Sequence, residues 1–192
     1  MDWILASASP RRKELFGEVV EKFEIIVAKG EEKACADTPF ALVKSLAKQK
    51  AMEVARLKEA EGKAVLGADT VVSLNGEVLG KPKDEADARR MLLALSGKKH
   101  EVYTGVCMIY PDDNGERKVL VEADCTKVFF RELSKEFIEE YIRGGSPMDK
   151  AGAYGIQDGG LVEKIEGSFS NVVGLPVELC KEMIKKISSK GA

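Results

Sequence analysis

The most continuous apolar stretch of the chain is Lys63-Ala64-Val65-Leu66-Gly67-Ala68-Asp69-Thr70-Val71-Val72, which admits almost no polar group before Asp69. Unbroken apolar character over such a length predicts a strand covered on both faces. A helical period governs residues 38–60, where Thr38-Pro39 opens the segment and Phe40, Val43, Leu46, Ala47 and Val54 fall on one apolar face. Lys44, Lys48, Lys50 and Lys58 then belong to the solvated side. Lys50 could turn into a cleft instead, which periodicity does not decide.

Shorter signals order the rest. Trp3-Ile4-Leu5-Ala6 reads as a strand and residues 10–16 as a helix, with Ser9 as N-cap and Pro10 in the first turn, where its missing N–H costs nothing. Phe23–Val27 predicts a second strand. Val71–Leu74 and Glu77–Leu79 flank Asn75-Gly76, the preferred pair for a type I′ hairpin turn, and the return strand delivers Gly80-Lys81-Pro82 towards Asp69. Asp84 caps a helix to about Ser96 with Met91, Leu92 and Leu95 inward. Strands are predicted over 100–110 and 117–130, joined by Asp112-Asp113-Asn114-Gly115, and Ser134 caps a helix over 135–143. Residues 144–157 hold too many glycines for a regular core element. A strand over 161–165 and a helix over 177–186, opened by Pro176, complete the pattern.

Composition narrows the function classes. A chain of 192 residues with 44% apolar and 32% charged residues suits one soluble domain, expected to span 1–192. A net charge of −2 disfavours bulk nucleic-acid binding while leaving room for a local basic cleft. Cys35, Cys107, Cys125 and Cys180 share no metal-type spacing, and the single histidine, His100, stands among lysines where a surface position is expected. Zinc and a histidine-based triad both lose support. No apolar run reaches membrane-spanning length and no signal-peptide pattern opens the chain, so a cytoplasmic protein with free thiols is expected.

Two features carry candidate chemistry. Ser7-Ala8-Ser9-Pro10-Arg11-Arg12 places two arginines at a helix N-terminus, where free backbone N–H groups and the macrodipole attract anions; an ordinary solvated helix start has the same residues. Asp69 is the sharper pointer, because a carboxylate inside an apolar strand is costly unless paired, hydrogen-bonded or metal-bound. Capping of nearby backbone N–H groups is its plain alternative. Glu31-Glu32 is either a solvated turn or part of a cation site, and Tyr154 and Gln157 are either a packed ring and a solvated amide or a place to hold a base. Neither a GxxxxGK[ST] loop nor a GxGxxG fingerprint occurs, against kinases, GTPases and dinucleotide dehydrogenases.

Taken in order, Ser7-Ala8-Ser9-Pro10-Arg11-Arg12, Gly67-Ala68-Asp69-Thr70-Val71-Val72, Gly80-Lys81-Pro82, residues 149–157 and Val173-Gly174-Leu175-Pro176 resemble the motifs of the Maf family of nucleoside triphosphate pyrophosphatases, also described as septum-formation inhibitors. Phe16, where leucine is more usual, is a small departure. The resemblance implies an α/β, Maf/ITPase-like fold: an elongated mixed sheet flanked by helices, two lobes around a deep cleft, and a homodimer. It also implies cleavage between the α- and β-phosphates with Mg²⁺ or Mn²⁺, while the charge balance and the lack of a long apolar run lead to no nucleic-acid or membrane partner being expected.

On that basis Glu31, Asp69 and Glu32 are the expected metal ligands, with Asp69 as base or as ligand only. Lys50, Lys81, Arg11 and Arg12 would neutralise the triphosphate, and Ser7 and Ser9 would add donors. Arg12, Thr70 and Gln157 resemble the dTTP/UTP subgroup, with Thr70 and Gln157 reading the base. Two alternatives stay open: the 7-methyl-GTP subgroup, and a nucleotide-sensing regulator of cell division in which hydrolysis is incidental.

Overall fold

The computed structural model describes residues 1–33 and 36–189, so Cys35 lies outside the described residues. Strands β1 (Trp3–Leu5), β2 (Phe23–Ile25), β3 (Ala64–Leu74), β4 (Glu77–Leu79), β5 (Lys99–Pro111), β6 (Arg117–Phe130) and β7 (Val162–Glu166) form one mixed sheet of order β2-β1-β3-β5-β6-β7, with β4 also on β3. β1 runs parallel to β2 and β3, and every other pairing is antiparallel. Helices α1 (Pro10–Gly17), α2 (Pro39–Ala55), α3 (Glu85–Leu95), α4 (Lys135–Arg143), α5 (Phe169–Val173) and α6 (Val177–Ser188) flank it.

Strand parity sorts the core. Side chains alternate faces along a strand, so Trp3, Leu5, Leu66, Ala68, Val106 and Met108 pack with Phe16 and Met183 on one face. Ile4, Val65, Cys107 and Ile109 pack with Ala47, Ala51 and Val54 of α2 on the other. A further cluster, with Val72, Leu92, Leu95, Phe130 and Ile138, forms the core of a second lobe. The near-continuous burial of β3 follows from cover on both faces, as its apolar run predicts.

α2 presses unusually close to the sheet. A Cβ on Gly67 would stand 2.6 Å from the Ala47 carbonyl oxygen and 2.7 Å from the Ala51 nitrogen, so glycine is required there for packing. The helix also ends earlier than the apolar pattern predicts, at Ala55. Arg117 reaches from β6 to donate to the Ala55 carbonyl and, at 3.3 Å, to that of Ala60, taking over acceptors that further helical turns would have used. Phe40, expected inward, is exposed and meets Tyr103 edge-on at 6.4 Å.

Asn75 and Gly76 both have positive φ, 54° and 86°, as a type I′ turn requires. Ser9, Thr38, Asp84 and Ser134 each cap the helix expected of them. Residues 146–158 fold as three 3-10 turns, with Gly152 at φ 68° against Val72.

Candidate active site

A gap in the pairing of β3 creates the site. β1 pairs only with residues 64–66 and β4 only with 72–74, on the side of β3 away from β5. The edge of residues 67–71 is left open between them, and a cleft of about 860 Å³ lies over it. The last β1 bond is Ala6 N–H to the Leu66 carbonyl at 2.8 Å, after which the chain turns away as Ser7–Ser9 and enters α1. Both lobes supply walls, including Ser7, Ser9, Arg11, Arg12, Lys50, Asp69, Thr70, Lys81 and Gln157.

Parity sends Asp69 and Thr70 to opposite faces of the sheet. Asp69 points towards α2, is only 7% exposed, and accepts from Lys50 Nζ, which also lies 2.9 Å from Glu32 Oε1. Its neighbour across the strands is Gly105. Asp69 is therefore paired with a side-chain cation, and the backbone-capping alternative does not describe it. Lys50 turns into the cleft, its side chain 18% exposed.

Thr70 faces the other way, and Arg12 Nη2 donates to its hydroxyl at 3.0 Å while Arg12 Nε donates to the Gly174 carbonyl at 2.9 Å. Burial lowers the pKa of this guanidinium, an effect that Asp69 opposes; arginine keeps its charge regardless. The Arg12 amide itself is capped by Ser9 Oγ. Arg11 Nη1 crosses to Asp149 Oδ2 at 3.3 Å, and Lys150 Nζ meets Asp149 Oδ1 at 2.9 Å, so the second lobe answers the α1 N-terminus with a charge pair of its own.

Relatives align over most of this chain. The family model described as Maf-like protein matches residues 2–187. The chain belongs to the Maf family. The dTTP/UTP pyrophosphatase of Aquifex aeolicus is 46% identical, over 96% of this chain and 95% of its own. That of Thermococcus gammatolerans is 49% identical, over 92% and 91%. Among solved structures, the Staphylococcus aureus Ham1 protein superposes with a TM-score of 0.55 at 16% identity, covering 97% of this chain and 99% of that one. At that identity the likeness speaks for the fold alone.

Within this Maf fold the acidic pair divides. Glu32 enters the cleft, but Glu31 lies outside its lining, 77% exposed and 3.0 Å from Lys33. Its carbonyl accepts from Gln49 Nε2 at 2.5 Å. Among the described residues no group of three or more His, Cys, Asp or Glu side chains gathers as a metal site. Two carboxylates nonetheless converge on one cation, the Lys50 ammonium, and hard oxygen donors of this kind suit Mg²⁺ or Mn²⁺ when phosphate oxygens complete the shell.

Three features escaped the sequence reading. Lys150 and Asp149 line the cleft from a glycine-rich segment whose turns periodicity does not register. The short α5, too brief to show a period, sets Asn171 beneath the site. His100, expected at the surface, is fully buried, with Nε2 2.8 Å from Tyr154 Oη and its ring edge-on to Phe130 at 4.9 Å. Tyr154 is thus a packed ring, tying the loop that bears Lys150 and Gln157 to β5, whereas Gln157 is exposed at the cleft.

Burial pulls the His100 pKa from 6.5 down to about 4. Below pH 6.5 the unfolded chain takes up a proton that the folded chain refuses until about pH 4, so this stabilisation is complete above pH 6.5 and falls away between those values. The expected loss is about 3 kcal/mol. Urea unfolding of the wild type and His100→Phe at pH 7 and pH 4.5 checks it: the variant should lose less stability on acidification. Equal losses would refute the assignment.

Proposed function

We propose that the chain is a dTTP/UTP pyrophosphatase, hydrolysing these triphosphates between the α- and β-phosphates to the monophosphate and pyrophosphate. The observation that carries the reading is a buried carboxylate, Asp69, held at an open strand edge inside a cleft lined by Arg11, Arg12, Lys50 and Lys81. The names of the relatives supply the substrate class.

Phosphoryl chemistry needs mainly positioning and charge stabilisation. Asp69 accepts the proton of the attacking water, since it is the buried carboxylate of the cleft, whereas Glu32 and Asp149 are largely exposed and His100 is sealed in the core. Lys50, Lys81, Arg11 and Lys150 neutralise the triphosphate and the departing pyrophosphate, while Ser7 and Ser9 add donors. Arg12, Thr70 and Gln157 meet the base. Asp69 and Glu32 are the residues that would hold a divalent cation, which would supply neutralisation of phosphate charge and acidification of the water. The same reading makes the protein a single-domain cytoplasmic enzyme that acts as a homodimer; no described helix is long and apolar enough to cross a membrane.

Pyrophosphate release by the purified protein from dTTP, UTP, CTP and 7-methyl-GTP, each with Mg²⁺, Mn²⁺ or no added metal, tests this. Metal-dependent release concentrated on dTTP and UTP is expected. Release from 7-methyl-GTP alone would overturn the base assignment, and tight nucleotide binding without release would favour the regulator.

A further inference from the structure

We infer that Thr104, a residue that does not line the cleft, sets the preference for uracil and thymine over cytosine by fixing the proton direction of the Thr70 hydroxyl. The inference rests on the proposed role of Thr70 at the base and asks what chemical face Thr70 shows there.

The number of available protons fixes that direction. Thr104 is wholly buried on β5, directly across from Thr70 on the same face of the sheet. Its Oγ1 lies 2.9 Å from the backbone carbonyl oxygen of Asn171, which can only accept, so the single hydroxyl proton of Thr104 is committed there. Thr70 Oγ1 lies 2.9 Å from Thr104 Oγ1, and one of the two must donate. Thr104 has no proton left, so Thr70 donates inward. Arg12 Nη2 then fills one lone pair of Thr70 from 3.0 Å. What remains at the cleft is one lone pair of Thr70, an acceptor and nothing else.

The arrangement is held from below. Asn171 is also wholly buried, and its Nδ2 donates to the Val102 carbonyl and to Thr126 Oγ1, each at 3.0 Å. Its own amide is capped by Ser168 Oγ at 3.2 Å. Neither Thr104 nor Asn171 is reached by solvent, so bulk water does not compete for the proton.

Uracil and thymine carry an N–H at position 3 between two carbonyl groups. Cytosine carries a bare lone pair at that position. An accept-only oxygen receives the N3–H of the first two and meets cytosine lone pair to lone pair. A buried polar mismatch of this kind is rejected far more strongly than a difference in shape. Thr104 acts through Thr70, as a positioning residue for specificity.

The test is the ratio of kcat/KM for UTP to that for CTP. Thr104→Val keeps the shape, deletes the hydroxyl and frees the Thr70 proton to turn outward, so the ratio should fall by roughly tenfold or more. Thr104→Ser keeps the hydroxyl and should retain the wild-type ratio. A merely structural role would lower both rates together and leave the ratio alone. An unchanged ratio in Thr104→Val overturns the inference while the substrate reading stands; a wild type that does not prefer UTP over CTP overturns the substrate reading itself. Should Thr104→Val fail to fold by circular dichroism, Thr104→Ala deletes the same oxygen with no added bulk, and the same ratio decides.

Discussion

Asp69→Asn should reduce pyrophosphate release by roughly 100- to 10,000-fold, the range attributable to a lost catalytic base. The change removes one charge and almost no volume. The amide that replaces the carboxylate would still offer an oxygen to Lys50, and the strand pairing of β3 with β5 needs nothing from the side chain. The fold should therefore survive, and thermal unfolding within a few degrees of wild type, measured alongside kcat, would establish that the loss is chemical. Glu32 supplies a useful contrast: it shares Lys50 but is 55% exposed at its side chain, so Glu32→Gln should cost less turnover than Asp69→Asn. Wild-type rates in Asp69→Asn would sink the assignment of the base and, with it, the reason offered for a carboxylate in an apolar strand.

Gly105→Ala should be the most damaging single methyl in the protein, destabilising it by roughly 3 kcal/mol or more. The new Cβ would stand 2.8 Å from the Lys44 nitrogen and closer still to the Val43 carbonyl, all backbone atoms of α2 that no side-chain rotation can move aside. α2 would have to rise off the sheet. Lys50 rides on that helix and Asp69 pairs with Gly105 across the strands, so activity should fall with stability. Urea denaturation gives the comparison, with Gly17→Ala as control because nothing lies within 4 Å of a Cβ there. The control should stay within about 0.5 kcal/mol of wild type. A Gly105→Ala protein of native stability would mean that α2 does not sit as close as described.

Gly105 shows how packing and chemistry are joined. Two glycines, Gly67 and Gly105, let α2 approach the face of the sheet from which Asp69 projects. The close approach brings Lys50 to the carboxylate, and the opposed charges offset part of the cost of burying both. On the other face, Thr70 and Thr104 form the equivalent cross-strand pair, with Arg12 and Asn171 as partners. One stretch of strand thus carries a carboxylate–ammonium pair on one side and a pair of linked threonine hydroxyls on the other.

Much of this was legible in the residues. The apolar run of 64–72 specified a strand buried on both faces, and the carboxylate inside it pointed to where the cleft opens, because burial of an unpaired charge is expensive whatever the fold. Caps and turns were equally plain: Ser9, Asp84, Ser134 and Asn75-Gly76 act through neighbours within a few positions, and such local hydrogen bonds and φ requirements are written in the order of the residues. Tertiary structure alone decided what depended on distant partners. Which way Lys50 turned required knowing how near α2 lies to β3. The Glu31 carbonyl meets Gln49, and buried His100 meets Tyr154 and Phe130, none of them adjacent in sequence. The open edge at 67–71 arises because β1 stops and β4 begins at different points along β3, a matter of register between strands. The proton order from Thr70 through Thr104 to Asn171 joins residues 34 and 67 positions apart. Periodicity reports which face of its own element a residue occupies, and the partner that waits on that face is chosen only when the elements pack.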